Sequence, residues 1–456
     1  MKEFLKVGIS GVRGVVGESL TPSIAASFAR AFASFVGRGT VVVGRDTRPS
    51  GYALQCAIAA GLESSGCKPV LAGIVPTPTL CMLARELGSR GAIAITASHN
   101  TSEWNAMKFI GPDGVFLPPN RADELYDIYH QGDFELVTED DMTPAVILDS
   151  PMERHVRKIL DYVDVDLIRK RGFSVAVDCC NGVGALSTRK FLEEKLGCKV
   201  VACFDAPTGA FERGPEPIPE NLGVLCDVVR KFKVDVGFAQ DPDGDRLAIV
   251  DELGNPIGED LTVALAVWQV LDRHRKGPVA IHMTTSRAVQ RVAEDRGSEV
   301  IRTRIGEINV VQAMLENSAV VGGEGNGGVI VPAIHPCRDS YTAMALTLEL
   351  MASENKTVSE LRGLLPKYFM VKDKIRAQGD KIPQTLRALR RRYQDRKINL
   401  LDGVYVEMED AWFHVRASNT EPVIRLSAEA TAQTRAVEIA RTIRSEIESF
   451  LSGAEA

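Results

Sequence analysis

No apolar run in this sequence approaches the roughly 20 residues that a membrane-spanning helix needs, which excludes a helical membrane span. The start, MKEFLKVGIS, lacks the pattern of a signal or transit peptide. The nine cysteines include no CxxC pair and no regular spacing, and most sit in apolar stretches such as VAVDCC and VVACF. They read as small reduced core residues, and the expectation is a cytoplasmic protein. An excess of basic residues is also missing: the formal charge of −6 excludes a general nucleic-acid surface, while local basic pockets remain compatible with it. What is present, 45% hydrophobic and 25% charged residues in a chain of 456, describes a soluble globular protein of several domains.

One pattern occurs three times. TVVVGRDTRPSGYALQCAIAAGLESSGCKPVLAG runs from a β-branched segment through a Gly/Asp/Ser turn, a helical stretch and a Gly-Cys stop to a second strand. FSVAVDCCNGVGALSTRKFLEEKLGCKVVACF and GPVAIHMTTSRAVQRVAEDRGSEVIRT keep that order, so each reads as a β-α-β unit of a parallel sheet. Each is followed by a further short strand ending in a small polar loop: AIAITASHN, VDVGFAQDPDGDR and SAVVGGEGNGG. Ligands collect beyond the carboxyl ends of strands in open α/β sheets, so three different loops at equivalent strand ends can converge on one cleft. LDSPMERHVRKILDYVD, without clear periodicity, links the first unit to the second. After TVSELRGLLP the character changes to a charged helix, the strands DGVYVEME and AWFHVRASNTEPVIRLSAEA, and a terminal helix, an α+β pattern. The expected architecture is α/β: three related domains with mixed sheets flanked by helices, at 1–150, 151–256 and 257–368, plus a C-terminal α+β domain at 369–456, around a central cleft.

The loops differ in chemistry. In DPDGDR, Asp241, Asp243 and Asp245 alternate, and on an extended segment they project to one side, where a cation must offset their repulsion. An oxygen-only set suits Mg²⁺. A calcium loop is excluded, because Arg246 stands at its sixth place, which requires glycine. In TASHN, Ser98 lacks the G-x-S-x-G frame of a hydrolase, and an extended backbone would point His99 away from it. Opposite a metal on DPDGDR, however, a serine oxygen is placed to hold and transfer a phosphoryl group, with Lys108 as acid/base or phosphate partner. GEGNGG offers Glu324 and Asn326 for sugar hydroxyls on a backbone that ligands can approach closely. RASNTEPVIR joins Arg416, Ser418, Asn419, Thr420 and Arg425 into the donor set of a phosphate clamp.

These four loops in this order, together with GISGVRG near the start, resemble the α-D-phosphohexomutase family over nearly the whole chain. The resemblance implies that Ser98 is a phosphoserine that donates and recovers a phosphoryl group. It implies that Asp241, Asp243 and Asp245, with the serine phosphate, bind one Mg²⁺. Arg13, Lys108 and Arg246 would surround the transferring phosphoryl, Glu324 and Asn326 would hold the sugar, and Arg416 to Thr420 with Arg425 would grip the nonreacting phosphate. The implied activity is interconversion of hexose 1- and 6-phosphates of the glucose/mannose type through a hexose 1,6-bisphosphate. Phosphoglucosamine mutase and a non-enzymatic sugar-phosphate binder are the alternatives. The implied partner is a small phosphosugar, with neither nucleic acid nor membrane, and a homo-oligomer stays open.

The sequence also departs from the family. Asn326 and Gly328 stand where many relatives have serine and histidine, and Glu307, in TRIGEIN, stands at another frequent histidine. Thr101 replaces a frequent proline and Ala106 a glycine. The third-unit changes leave the sugar preference open.

Overall fold

β-Branched runs bounded by Gly/Asp/Ser turns become parallel strands, and the intervening helices bring the chain back to the same edge of each sheet. The computed structural model describes residues 5–8, 11–418 and 422–452. In the first unit, strand Gly39–Arg45, helix Gly51–Ser64 and strand Cys67–Ile74 form one crossover. Helix Thr77–Glu86 then leads to strand Gly91–Ile95, parallel on the other side of Gly39–Arg45. The second unit repeats this with Ser174–Asp178, Lys199–Cys203 and Val236–Gln240, and the third with Val279–His282, Val300–Thr303 and Val321–Glu324. Each time the third of these parallel strands turns into an antiparallel neighbour: Trp104–Ile110, Leu247–Val250 and Gly328–Val331. The three sheets are therefore mixed, and TASHN, DPDGDR and GEGNGG occupy one topological position.

The C-terminal sheet is wholly antiparallel, in the order Phe369–Arg376, Val423–Ala430, Ala411–Ala417, Val404–Glu407, Lys397–Asn399. Helix Gln433–Ser452 covers it with Ala436, Ile439, Ala440, Ile443 and Ile447, whose three- and four-residue spacing lines one face. Among the described residues, no helix is long and apolar enough to cross a membrane. All nine cysteines are free, and all but Cys56 and Cys203 are buried.

A continuous apolar core joins the second and third units, with Phe238, Leu247, Trp268 and Tyr341 in it. Helix Ser340–Glu354 is buried on all sides from Ser340 to Ala352. Its cap, Asp339, accepts from the backbone of Tyr341 and Thr342 and from His155 Nε2 at 2.9 Å. His155 lies in the linker that showed no periodicity. That segment forms helix Met152–Tyr162, which buries only His155 and Ile159. Met152, Val156 and Leu160 pack against the core beside Ile159 at helical spacing, so the segment is periodic after all, and His155 within it is tied to Asp339 and Thr79.

The first and third units meet at His335, which is buried and donates through Nε2 to the Gly114 carbonyl at 3.0 Å. Gly114 has φ +79, and a Cβ there would lie 2.7 Å from the imidazole, so the turn closes on the ring. Burial pushes the His335 pKa down to about 4, with the Gly114 bond opposing. A histidine depressed in the folded state binds protons more readily when unfolded. Its contribution is therefore complete above the unfolded pKa of about 6.5 and is lost as pH falls towards 4. Scanning calorimetry across this range should show a smaller fall in Tm for His335→Gln than for the wild type.

Candidate active site

Ser98 follows the strand Gly91–Ile95 after two residues and has φ +49, in the left-handed region that costs a non-glycine residue roughly 1 to 2 kcal/mol. Its amide donates to Thr96 Oγ1 at 3.0 Å, and its hydroxyl donates across the cleft to Asp241 Oδ2 at 3.2 Å. The backbone is not extended here, so the parity that would aim His99 away from Ser98 does not apply. Burial, with Arg246 and Arg13 nearby, pushes the His99 imidazole down to about 2 and keeps it neutral.

The aspartates also gather, but by a turn rather than by strand alternation. Gly244 adopts φ +71, and Asp241 Oδ1 accepts the amides of Asp245 at 3.0 Å and Arg246 at 3.1 Å, folding the loop round its own first carboxylate. Carboxylate oxygens of Asp241, Asp243 and Asp245 lie within 4.8 Å of one another, and all three residues are buried. Burial, then Asp245 and Asp243, raise Asp241 well above the carboxylate range. Burial also opposes ionisation of Asp243, but the Lys108 ammonium at 3.0 Å and the Thr77 hydroxyl at 2.9 Å outweigh it and hold that pKa far down. Asp243 Oδ1 and Asp245 Oδ1 are enclosed without a hydrogen-bond partner. Buried carboxylate oxygens left this way fit a hard divalent cation, and the triad could hold one.

Glu324 ends the strand Val321–Glu324, and its Oε2 accepts from Asn326 Nδ2 at 3.3 Å. Asn326 Oδ1 accepts the Gly328 amide at 3.2 Å, so this side chain braces the loop. Arg338 belongs to none of the motif loops. It is buried, and its guanidinium reaches Glu324 at 2.5 Å, Asp245 at 2.5 Å and Glu307 at 3.2 Å. Burial opposes its charge, but Asp245, Glu307 and Glu324 together raise its pKa well above the ordinary value. Arg338, burial notwithstanding, holds Glu324 at about 2. A Cβ at Gly328 would lie 2.3 Å from Arg338 Cδ, so a side chain at 328 would displace the arginine. Of the two positions at which histidine is frequent, Glu307 pairs with the Arg338 guanidinium and Gly328 leaves the space through which that side chain passes. Its three carboxylates come from separate segments, which is why no local motif marks it. Thr77 was missed for the same reason.

Arg13, in strand Gly11–Val15, donates to Asn100 Oδ1 at 2.7 Å, beside the serine. Arg246 donates to Glu216 at 3.1 Å and lies 3.8 Å from Asp245. In the C-terminal sheet Arg416 and Arg425 are directly opposite on neighbouring antiparallel strands, and burial and Arg425 lower the Arg416 pKa. The Ser418 amide donates to Val423 O at 2.9 Å, closing the hairpin that carries the loop. Asn419 and Thr420 lie outside the described residues.

Profiles of the phosphoglucomutase/phosphomannomutase alpha/beta/alpha domains I, II and III match residues 5–136, 153–254 and 258–368, and that of the C-terminal domain matches 370–446. The chain is 40% identical over 438 residues to the probable phosphoglucosamine mutase of Methanopyrus kandleri, with 95% of each chain covered. The chain belongs to the phosphoglucomutase/phosphomannomutase family. It is 37% identical over 448 residues to the phosphoglucomutase/phosphomannomutase of Thermococcus kodakarensis, covering 94% of this chain and 96% of the other. A solved phosphoglucomutase/phosphomannomutase family protein from Burkholderia thailandensis superposes with a TM-score of 0.85 at 29% identity, covering 98% of this chain and 97% of that one. This member of the family is a phosphohexomutase, an intramolecular phosphotransferase.

The Lys108–Asp243 pair makes a stability prediction for this phosphohexomutase. Lys108→Met leaves a buried carboxylate uncompensated and should cost about 3 to 5 kcal/mol in EDTA. Mg²⁺ should stabilise the variant more than the wild type, and adding Asp243→Asn should recover much of the loss. Denaturant melts with and without Mg²⁺ check all three outcomes.

Proposed function

We propose that this phosphohexomutase interconverts hexose 1-phosphates and 6-phosphates of the glucose/mannose type, storing a phosphoryl group on Ser98 between half-reactions. The contact between Ser98 Oγ and Asp241 Oδ2 at 3.2 Å carries the proposal, because it sets the serine oxygen against a triad able to hold a cation. In the first half-reaction the bond from phosphorus to Ser98 Oγ breaks as one forms to the free sugar hydroxyl, whose proton passes in net to the serine oxygen, giving a hexose 1,6-bisphosphate and free Ser98. The bisphosphate reorients, and its other phosphoryl group returns to Ser98. Mg²⁺ on Asp241, Asp243, Asp245 and the serine phosphate would supply neutralisation of the phosphoryl oxygens.

Lys108, Arg13 and Arg246 then serve the transferring group. With its ammonium stabilised by Asp243 and Asp245 against the cost of burial, Lys108 is suited to pairing with phosphate oxygens. Glu324 and Asn326 hold sugar hydroxyls. Arg416, Ser418 and Arg425, with Asn419 and Thr420, grip the phosphate at rest. Two guanidiniums directly opposite across strands destabilise a sheet, and a phosphate between them relieves that repulsion. The four loops correspond to four domains at 1–150, 151–256, 257–368 and 369–456, in a cytoplasmic enzyme. A glucosamine phosphate is the second reading for the substrate, favoured by the name of the Methanopyrus kandleri relative.

Intact mass and peptide mapping of purified protein should show one substoichiometric phosphate, at Ser98, and Ser98→Ala should abolish mutase activity. An active Ser98→Ala variant, or phosphate only elsewhere, would remove the assignment.

Substrate choice should rest on the sugar loop. Glucose, mannose and glucosamine share the direction of their 3- and 4-hydroxyls, whereas galactose inverts the 4-hydroxyl and would leave a buried polar group poorly paired. In a coupled assay with the four 1-phosphosugars, galactose phosphate should have a much lower kcat/KM than glucose and mannose phosphates. Asn326→Ala should lower kcat/KM for the good substrates, because the amide steadies Glu324. Equal use of galactose and glucose phosphates, or an unchanged Asn326→Ala variant, would exclude this loop as the selector.

A further inference from the structure

The turn GRDTRPSG after the strand Gly39–Arg45 carries Arg48, whose side chain has no solvent exposure although it lies outside all four motif loops. Its charge is compensated within the turn: Nη1 bonds to Asp46 Oδ2, and its own amide donates to Asp46 Oδ1 at 2.9 Å. The other end of the guanidinium points at the serine loop. Nη2 donates to the carbonyl of Ser98 at 2.8 Å and to the carbonyl of Asn100 at 2.5 Å. These two acceptors flank His99, and the first belongs to the residue held at φ +49.

The second unit holds Arg48 from the far side. The guanidinium carbon lies 4.7 Å from the centre of the Phe211 ring, which is buried. Next to it, Thr47 Oγ1 donates to the Asn181 carbonyl at 2.8 Å, and a Cβ at Gly209 would lie 2.4 Å from Thr47 O. The turn is thus fixed against the unit that supplies Asp241, while its guanidinium fixes the loop that supplies Ser98. A group linked this way to both sides sets the approach of the serine oxygen to the acidic loop.

We infer that Arg48 is a positioning residue for phosphoryl transfer: by holding the Ser98 and Asn100 carbonyls it keeps Ser98 in its left-handed conformation with Oγ directed at Asp241. The inference rests on the reading of Ser98 as the phosphoryl carrier. The guanidinium of Arg48 is fully buried and engaged by Asp46 and the two carbonyls, so its role is geometric. Without the guanidinium the buried Ser98 carbonyl and the half-buried Asn100 carbonyl lose their donor, and the loop relaxes towards conformations in which the serine oxygen is misdirected.

The test separates transfer from binding and from folding. Phosphoenzyme made with a hexose 1,6-bisphosphate is mixed in a single turnover with the 1-phosphosugar that the wild type uses fastest, and loss of phosphate from the protein is followed by intact mass. Calorimetry gives the Kd of the same sugar phosphate, and a thermal melt reports folding. Arg48→Met should slow transfer by about a hundredfold while changing Kd by less than about threefold, because misplacement of reacting atoms by about 1 Å has that effect. Arg48→Lys, which keeps the charge and can reach one carbonyl, should recover part of the rate. If Arg48→Met does not fold, the same rate and Kd criteria apply to Arg48→Lys. Transfer at the wild-type rate, or equal losses in rate and affinity, would overturn the inference. Ser98→Ala is the control: if it still becomes phosphorylated and transfers, the carrier reading fails and Arg48 loses its role. If it is silent while the Arg48 variants transfer normally, only the inference about Arg48 fails.

Discussion

Three carboxylates enclosed within 4.8 Å of one another are the constraint on which this architecture turns. Buried charges of like sign persist only where cations are delivered to them. The first unit delivers Lys108 to Asp243, and the third delivers Arg338 to Asp245. The second unit, which owns the triad, adds Arg246 beside Asp245. The Lys108 and Arg338 pairs therefore double as contacts between units, and the site helps to hold the units in register. Asp243 Oδ1 and Asp245 Oδ1 still lack a hydrogen-bond partner, and a divalent cation held by the triad would supply the charge that they want.

Repetition explains why three loops of unlike chemistry meet. Each unit ends its third parallel strand at the same topological point, then reverses into an antiparallel neighbour, so the connecting loop is always at the carboxyl end of the sheet. The framework is common and the loop residues are not: a serine in the first unit, aspartates in the second, a glutamate and an amide in the third. Close approach between these loops depends on glycine. At Gly327, with φ +84, a Cβ would lie 2.3 Å from Leu247 O, so the sugar loop can lie against the strand leaving the acidic loop only without a side chain there.

The third unit shows how a substitution pattern acquires meaning from contacts. Glu307, Gly328 and Arg338 are far apart in sequence and form one device: a carboxylate to hold the guanidinium, a glycine to let it pass, and an arginine joining the sugar loop to the acidic loop. Glu324 is thereby kept ionised and fixed from behind, while Asn326 steadies it from within the loop.

The repeated units, the mixed sheets, the α+β end and the loops bearing Ser98, the aspartates, Glu324 and Arg416 were all legible in the sequence. They rest on local signals: strand alternation, glycine turns and short runs of functional side chains. Three local inferences needed correction. The aspartates meet through a turn at Gly244 rather than along an extended segment, His99 escapes strand parity because Ser98 is left-handed, and the linker that showed no clear periodicity is helix Met152–Tyr162, whose Met152, Val156, Ile159 and Leu160 share one face. Arg338, Thr77 and Arg48 had no local signature, since each takes its meaning from partners in distant segments. Chain-local patterning determined which elements form and which side chains sit at their ends. Which charges neutralise which was decided only by tertiary structure, because the field at a buried carboxylate depends on distances between groups that the chain brings together only when folded.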